Sequence, residues 1–71
     1  MDRKNFGEQI KQLREAQGLT KTEVARRAGF TYRSVLYWEQ GKKDITLENA
    51  AKLLDALGRE MIFMVKREVR M

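Results

Sequence analysis

The punctuation of this chain constrains its fold more than any other feature. Gly18, Gly29, Gly41 and Gly58 each close an apolar-patterned segment, Thr20, Thr31 and Thr46 each open the next, and there is no proline. Glycine tolerates the positive φ that ends a helix, and a threonine hydroxyl accepts from the free amides that begin one. The segments so divided predict four helices with short joints. In the first, Phe6, Ile10 and Leu13, with Ala16 as a further candidate, follow the spacing of one buried face. Asn5 is the expected N-cap there, with Glu8 closing a capping box. Thr20-Lys-Thr-Glu23 forms a second box, opening a short helix that turns Val24, Ala25 and Ala28 inward. Thr31 caps a third helix, in which Val35 and Trp38 share a face. Thr46 caps a fourth, with Leu47, Ala50, Leu53, Leu54 and Leu57 apolar.

Length and residue types exclude several kinds of function. The 71 residues allow one domain, and a chain this short buries only about 60% of the surface its unfolded form exposes. Without cysteine there is no disulfide framework and no thiolate metal site. Without histidine the usual nitrogen ligand and the usual general base are missing as well. No clustered acid pair in an apolar pocket can be drawn, so no enzyme activity, metal or cofactor is expected. The opening MDRKNFGEQIKQL lacks the apolar core of a signal peptide. No apolar run approaches the ~20 residues of a spanning helix. A cytoplasmic protein without a membrane partner is the expectation.

Charge says more. Fifteen basic residues stand against ten acidic ones, for a net charge of +5. Between Lys21 and Lys43 there are six basic residues (Lys21, Arg26, Arg27, Arg33, Lys42, Lys43) and two acidic ones, Glu23 and Glu39. A basic patch on a small domain fits a polyanion, although composition alone favours a solvated charged face. The uncharged residues of the same stretch decide between the two. Ala25 is small where two helices must cross closely, and Gly29 lies at the turn four residues later. Val24, Ala28, Phe30, Val35 and Trp38 supply the apolar contacts that fix one helix across the other. These offsets match a helix-turn-helix, with an amphipathic helix before it and another after.

The stretch "IKQLREAQGLTKTEVARRAGFTYRSVLYWEQGKKDITLENAAKLLDALG" resembles the phage repressor/Cro-type family, also called the xenobiotic-response-element type. The resemblance covers roughly Phe6 to Leu57. It implies a homodimer that binds a double-stranded operator and places its third helix in the major groove. It also implies that Tyr32, Arg33 and Tyr37 face base edges, with Thr31 and Ser34 at the start of the same helix completing the set. Lys21 falls where relatives carry a glutamine that contacts phosphate. Arg14 and Glu39 match a pair that joins the first and third helices in the family. Leu36 departs from the pattern, since relatives carry a polar residue there, and it either touches a thymine methyl or faces protein.

Side-chain chemistry agrees with these roles. Arg33 can donate a bidentate pair to guanine O6 and N7, the commonest specific contact in the major groove. A tyrosine can donate to a phosphate or base and lay its ring against a thymine methyl; partial packing on the bundle surface is the alternative for Tyr32 and Tyr37. Lys42 and Lys43, directly after the reading helix, fit the sugar-phosphate backbone and would add sequence-independent affinity.

The tail, "GREMIFMVKREVRM", stands apart from the helical pattern. Met61, Ile62, Phe63, Met64 and Val65 form a continuous apolar run of high strand propensity, bounded by charges. A lone strand leaves its backbone groups unpaired. Pairing with the same segment of a second chain about a two-fold axis resolves this. The competing reading is a fifth helix through Ile62, Val65 and Val69. The expected fold is therefore all-α: a four-helix repressor-like domain over residues 1–58, with residues 59–71 as a β-strand pairing between subunits. The tail also looks like antitoxins of the HipB type. Two functions follow, a dimeric operator-binding transcriptional repressor or an antitoxin that also binds a toxin protein.

Overall fold

The structure, a computed structural model, describes residues 3–59. Four helices run α1 (Arg3–Ala16), α2 (Lys21–Ala28), α3 (Tyr32–Gln40) and α4 (Leu47–Ala56). Among the described residues there is no strand, and the expected tail strand over Met61–Val65 lies outside them.

Three of the four helix starts follow from a threonine. The Thr20 hydroxyl accepts from the Glu23 amide at 3.1 Å, and the Thr20 amide donates to the Glu23 carboxylate at 2.8 Å, closing the capping box. Thr31 and Thr46 accept from the amides of Ser34 and Asn49, each at 3.1 Å. Each cap satisfies a donor that the helix leaves free, an effect of about 1 kcal/mol. The first helix is different. It already includes Arg3, so Asn5 sits inside the first turn and is not its N-cap. The helical turn ahead of Asn5 is supported by tertiary contact, since Arg3 donates to Asp44 at 3.0 Å and the backbone of Lys4 lies against Gly41. Such contacts can outweigh a local capping preference.

The core gathers Phe6 and Ile10 from α1, Val24 and Ala25 from α2, Val35 and Trp38 from α3, and Ala50, Leu53 and Leu57 at α4. Removing its valine, leucine, isoleucine and phenylalanine side chains from water contributes about 1.5–3 kcal/mol each. Leu13, Leu19, Ala28, Phe30, Ile45 and Leu54 pack around this centre. The Trp38 ring meets Phe30 edge to face at 4.8 Å between centroids, and its indole donates to the Asp44 carbonyl at 3.2 Å. Ala16, the further candidate for the buried face of α1, is exposed in its last turn. Leu47, although apolar, is 56% exposed, since it lies in the first turn of α4 ahead of the inward-facing Ala50.

The joint between α2 and α3 is set by Gly29, whose φ of 81° is left-handed. Its amide donates back to the Ala25 carbonyl, and so does that of Phe30, at 2.8 Å. A side chain is strained in that conformation, whereas glycine enters it freely. The sharp turn then packs α3 against α2.

Candidate nucleic-acid interface

The two faces of α3 are chemically distinct. Val35, Trp38 and Glu39 are buried on one side. On the other, Arg33, Tyr37 and Gln40 follow at helical spacing, with Tyr32 at the helix start. Tyr32 is 50% exposed, Arg33 is exposed, and Tyr37 is half-buried. The Arg33 guanidinium donates to the Tyr37 hydroxyl at 3.5 Å, a long bond between side chains one turn apart. Thr31 and Ser34 occupy the N-terminus of α3, where the Thr31 hydroxyl also donates to that of Ser34 at 3.1 Å. The arrangement presents a long cation, two phenols and a carboxamide on one exposed ridge, flanked by the hydroxyls of its first turn.

Lys21 begins α2 and is half-buried. With Lys11 of α1 and Leu36, Glu39 and Gln40 of α3 it lines a half-open depression of about 120 Å³. Leu36 therefore borders the junction of α1, α2 and α3 beside a lysine stem. The sequence reading passed over Gln40 and Lys11. The seven-residue step from Arg33 to Gln40, two helical turns, was the signal for the first. Nothing local in the sequence points to the second, because its neighbours come from other helices. Lys42 and Lys43 are exposed in the loop that follows α3, and the Lys42 amide donates to the Tyr37 carbonyl at 2.9 Å.

Both acidic residues of the basic stretch are engaged within the protein. Glu39 is buried, its carboxylate receiving Arg14 Nε at 2.6 Å and Nη2 at 3.0 Å. Arg14 also donates to the Leu19 carbonyl at 2.9 Å, so one guanidinium ties α1 to α3 and to the loop before α2. The bonds to Glu39 raise the Arg14 pKa against the lowering effect of burial. Glu23 is held below the usual carboxylate range by the amide and hydroxyl of Thr20, with a smaller contribution from Arg27 and Arg26. Lys21, Arg26, Arg27, Arg33, Lys42 and Lys43 form no ion pair with any described residue. Among the described residues no cluster of three or more His, Cys, Asp or Glu could hold a metal, and no helix is long and apolar enough to cross a membrane.

A helix-turn-helix whose second helix projects an exposed polar ridge, beside cations that form no ion pair with a described residue, defines a DNA-binding domain. Residues 10–63 match the sequence profile of the helix-turn-helix family. The fold is similar to that of the restriction-modification controller protein C.AhdI from Aeromonas hydrophila, with 34% identity and a TM-score of 0.80 over 83% of this chain and 86% of that one. It is also similar to the clp gene regulator ClgR from Corynebacterium glutamicum, with 25% identity and a TM-score of 0.81 over 84% of this chain and 78% of that one. A comparison with curated protein sequences gives no match. The chain belongs to the helix-turn-helix family, as a DNA-binding transcriptional regulator of the Cro/repressor type.

Proposed function

We propose that this regulator is a repressor that acts as a homodimer on a two-half-site operator in double-stranded DNA. One observation carries the reading: six cations around the helix-turn-helix form no ion pair with any described residue, while Glu23 and Glu39 are both engaged internally. The charge left over is positive and faces outward, which suits phosphate.

Roles divide by chemistry. Arg33 reads a guanine in the major groove, and Tyr32 and Tyr37 pack beside it on neighbouring bases. Thr31 and Ser34 hold the start of the reading helix and bring its free amides to the backbone, and Lys21 does the same from the start of α2. Lys42 and Lys43 grip phosphate without regard to sequence. Arg14 and Glu39 touch no DNA and brace α3 against α1. The domain division at residues 58 and 59 separates this reader from the segment, Met61–Val65, that joins two copies. The protein carries out no catalysis and acts by occupying its site, in the cytoplasm. The comparisons lend no support to the antitoxin alternative.

Selection of bound duplexes from a random pool tests this directly. The expected product is an inverted repeat whose half-site centres lie about one helical turn, roughly 34–36 Å, apart. Recovery of sequences with no common motif, bound with equal affinity, overturns the reading.

A further inference from the structure

Gly7 lies inside α1, buried, where no turn requires it and its φ is not positive. Glycine weakens a helix interior relative to alanine, so its presence there calls for a reason. A β-carbon built on Gly7 would lie 2.2 Å from the Trp38 carbonyl oxygen and 2.8 Å from that of Glu39. Both oxygens belong to the main chain of the last turn of α3, so no side-chain rotation relieves the overlap.

We propose that Gly7 is a positioning residue for DNA reading: its missing side chain lets α1 seat directly on the backbone of α3 and so sets the height and tilt of the reading face. Glu39 is then held twice by one helix. Its carbonyl lies against Gly7, and its carboxylate receives Arg14, two turns further along α1. The first contact fixes the separation of the two helices and the second fixes the rotation of α3 about its axis. A methyl group at position 7 needs the last turn of α3 to withdraw by about 1 Å to reach ordinary contact at 3.4 Å. Recognition sites hold their groups to within about 0.5 Å. Because α3 is short and stiff, that displacement is carried to Arg33. Lysine contacts to phosphate adapt more easily, since the ammonium is a point charge on a flexible stem.

The inference rests on the reading of α3 as the helix that enters the major groove, and the test separates the two. Gly7→Ala and, as a stability control, Ile10→Val are compared with the wild type at a temperature where circular dichroism shows each fully helical. Affinity is measured for the selected operator and for an unrelated duplex across a salt series. The expected result for Gly7→Ala is a loss of about tenfold or more on the operator, the scale of one spoiled base contact. Affinity for the unrelated duplex and the salt slope stay unchanged, and Ile10→Val keeps full operator preference. If Gly7→Ala is unfolded in buffer, the measurement is made in an osmolyte that restores its helicity. Equal losses on both duplexes, an unchanged operator affinity, or failure to fold even with osmolyte overturns the proposal, the last by making Gly7 a requirement of folding alone. A wild type that does not distinguish the duplexes overturns the prior reading instead.

Discussion

Arg33 and Lys43 carry the same charge, yet the proposed function gives them different work. A guanidinium fork matches the two acceptors on a guanine edge, while an ammonium neutralises phosphate on any sequence. Arg33→Ala should therefore cost roughly 1–3 kcal/mol on the operator and relax preference at one base pair. Lys43→Ala should weaken all duplexes alike and lower the salt slope by about one unit. Binding to a set of single-base operator variants distinguishes them, and a uniform loss across the set for Arg33→Ala would reduce it to a backbone contact. Arg14 illustrates the opposite use of charge. Its side chain is 8% exposed and that of Glu39 only 2%, so removing one partner strands the other away from water. Arg14→Met should destabilise by about 3–5 kcal/mol, whereas the double replacement Arg14→Met, Glu39→Met should recover most of that loss. Denaturant midpoints of the two single variants and the double variant give the coupling. A double variant no more stable than Arg14→Met would show that packing, not the pair, sets the cost.

Among the elements, α2 begins on a titrating group. The Glu23 carboxylate accepts from the Thr20 amide, which holds its folded pKa below the unfolded value of about 4.3. A depressed carboxylate contributes stability that is present above the unfolded value and is lost as pH falls through the folded one. Gln at the same position can still accept the bond but does not titrate. The difference in Tm between wild type and Glu23→Gln should thus narrow on acidification below about pH 4.3. A difference constant across that range would detach Glu23 from the pH response of α2. Helix starts also show which parts of the fold were legible in the sequence. Thr20, Thr31 and Thr46 act through bonds to residues three positions away, so a local pattern contains them whole. The turn of α1 ahead of Asn5 is instead supported by Asp44 and Gly41, some forty residues away, which no local pattern contains. The ridge of α3 followed from the inward pattern of Val35 and Trp38, whereas the depression between Lys11, Lys21 and Gln40 joins three helices and has no periodicity of its own. Gly7 escaped for the same reason, because its neighbour is backbone rather than side chain.

At the scale of the whole molecule, one described domain offers one reading helix, and a single helix spans few base pairs. Each well-made base contact discriminates by about 1–3 kcal/mol, too little alone to select one site among many. Two copies on a two-fold axis multiply that discrimination, provided their reading helices stand about one DNA turn apart. Among the described residues the core draws on all four helices: Leu53 of α4 and its C-cap Leu57 lie in it, and Gln17 donates to the Leu57 carbonyl at 2.7 Å, fastening the end of α4 to that of α1. Folding of the reader should accordingly not need the apolar segment Met61–Val65, which leaves that segment free to serve association. Deleting residues 60–71 should give a helical monomer that retains α1 to α4 and binds each half-site weakly. Its affinity for the two-half-site operator should fall by orders of magnitude, because linking two weak contacts supplies an effective concentration that separate monomers lack. Sedimentation equilibrium and operator binding are to be measured on the same preparation. A truncated chain that sediments as a dimer and binds the full operator as tightly as the intact protein would move the dimer contact into the helical domain, where exposed Leu47 at the start of α4 would be the first place to look.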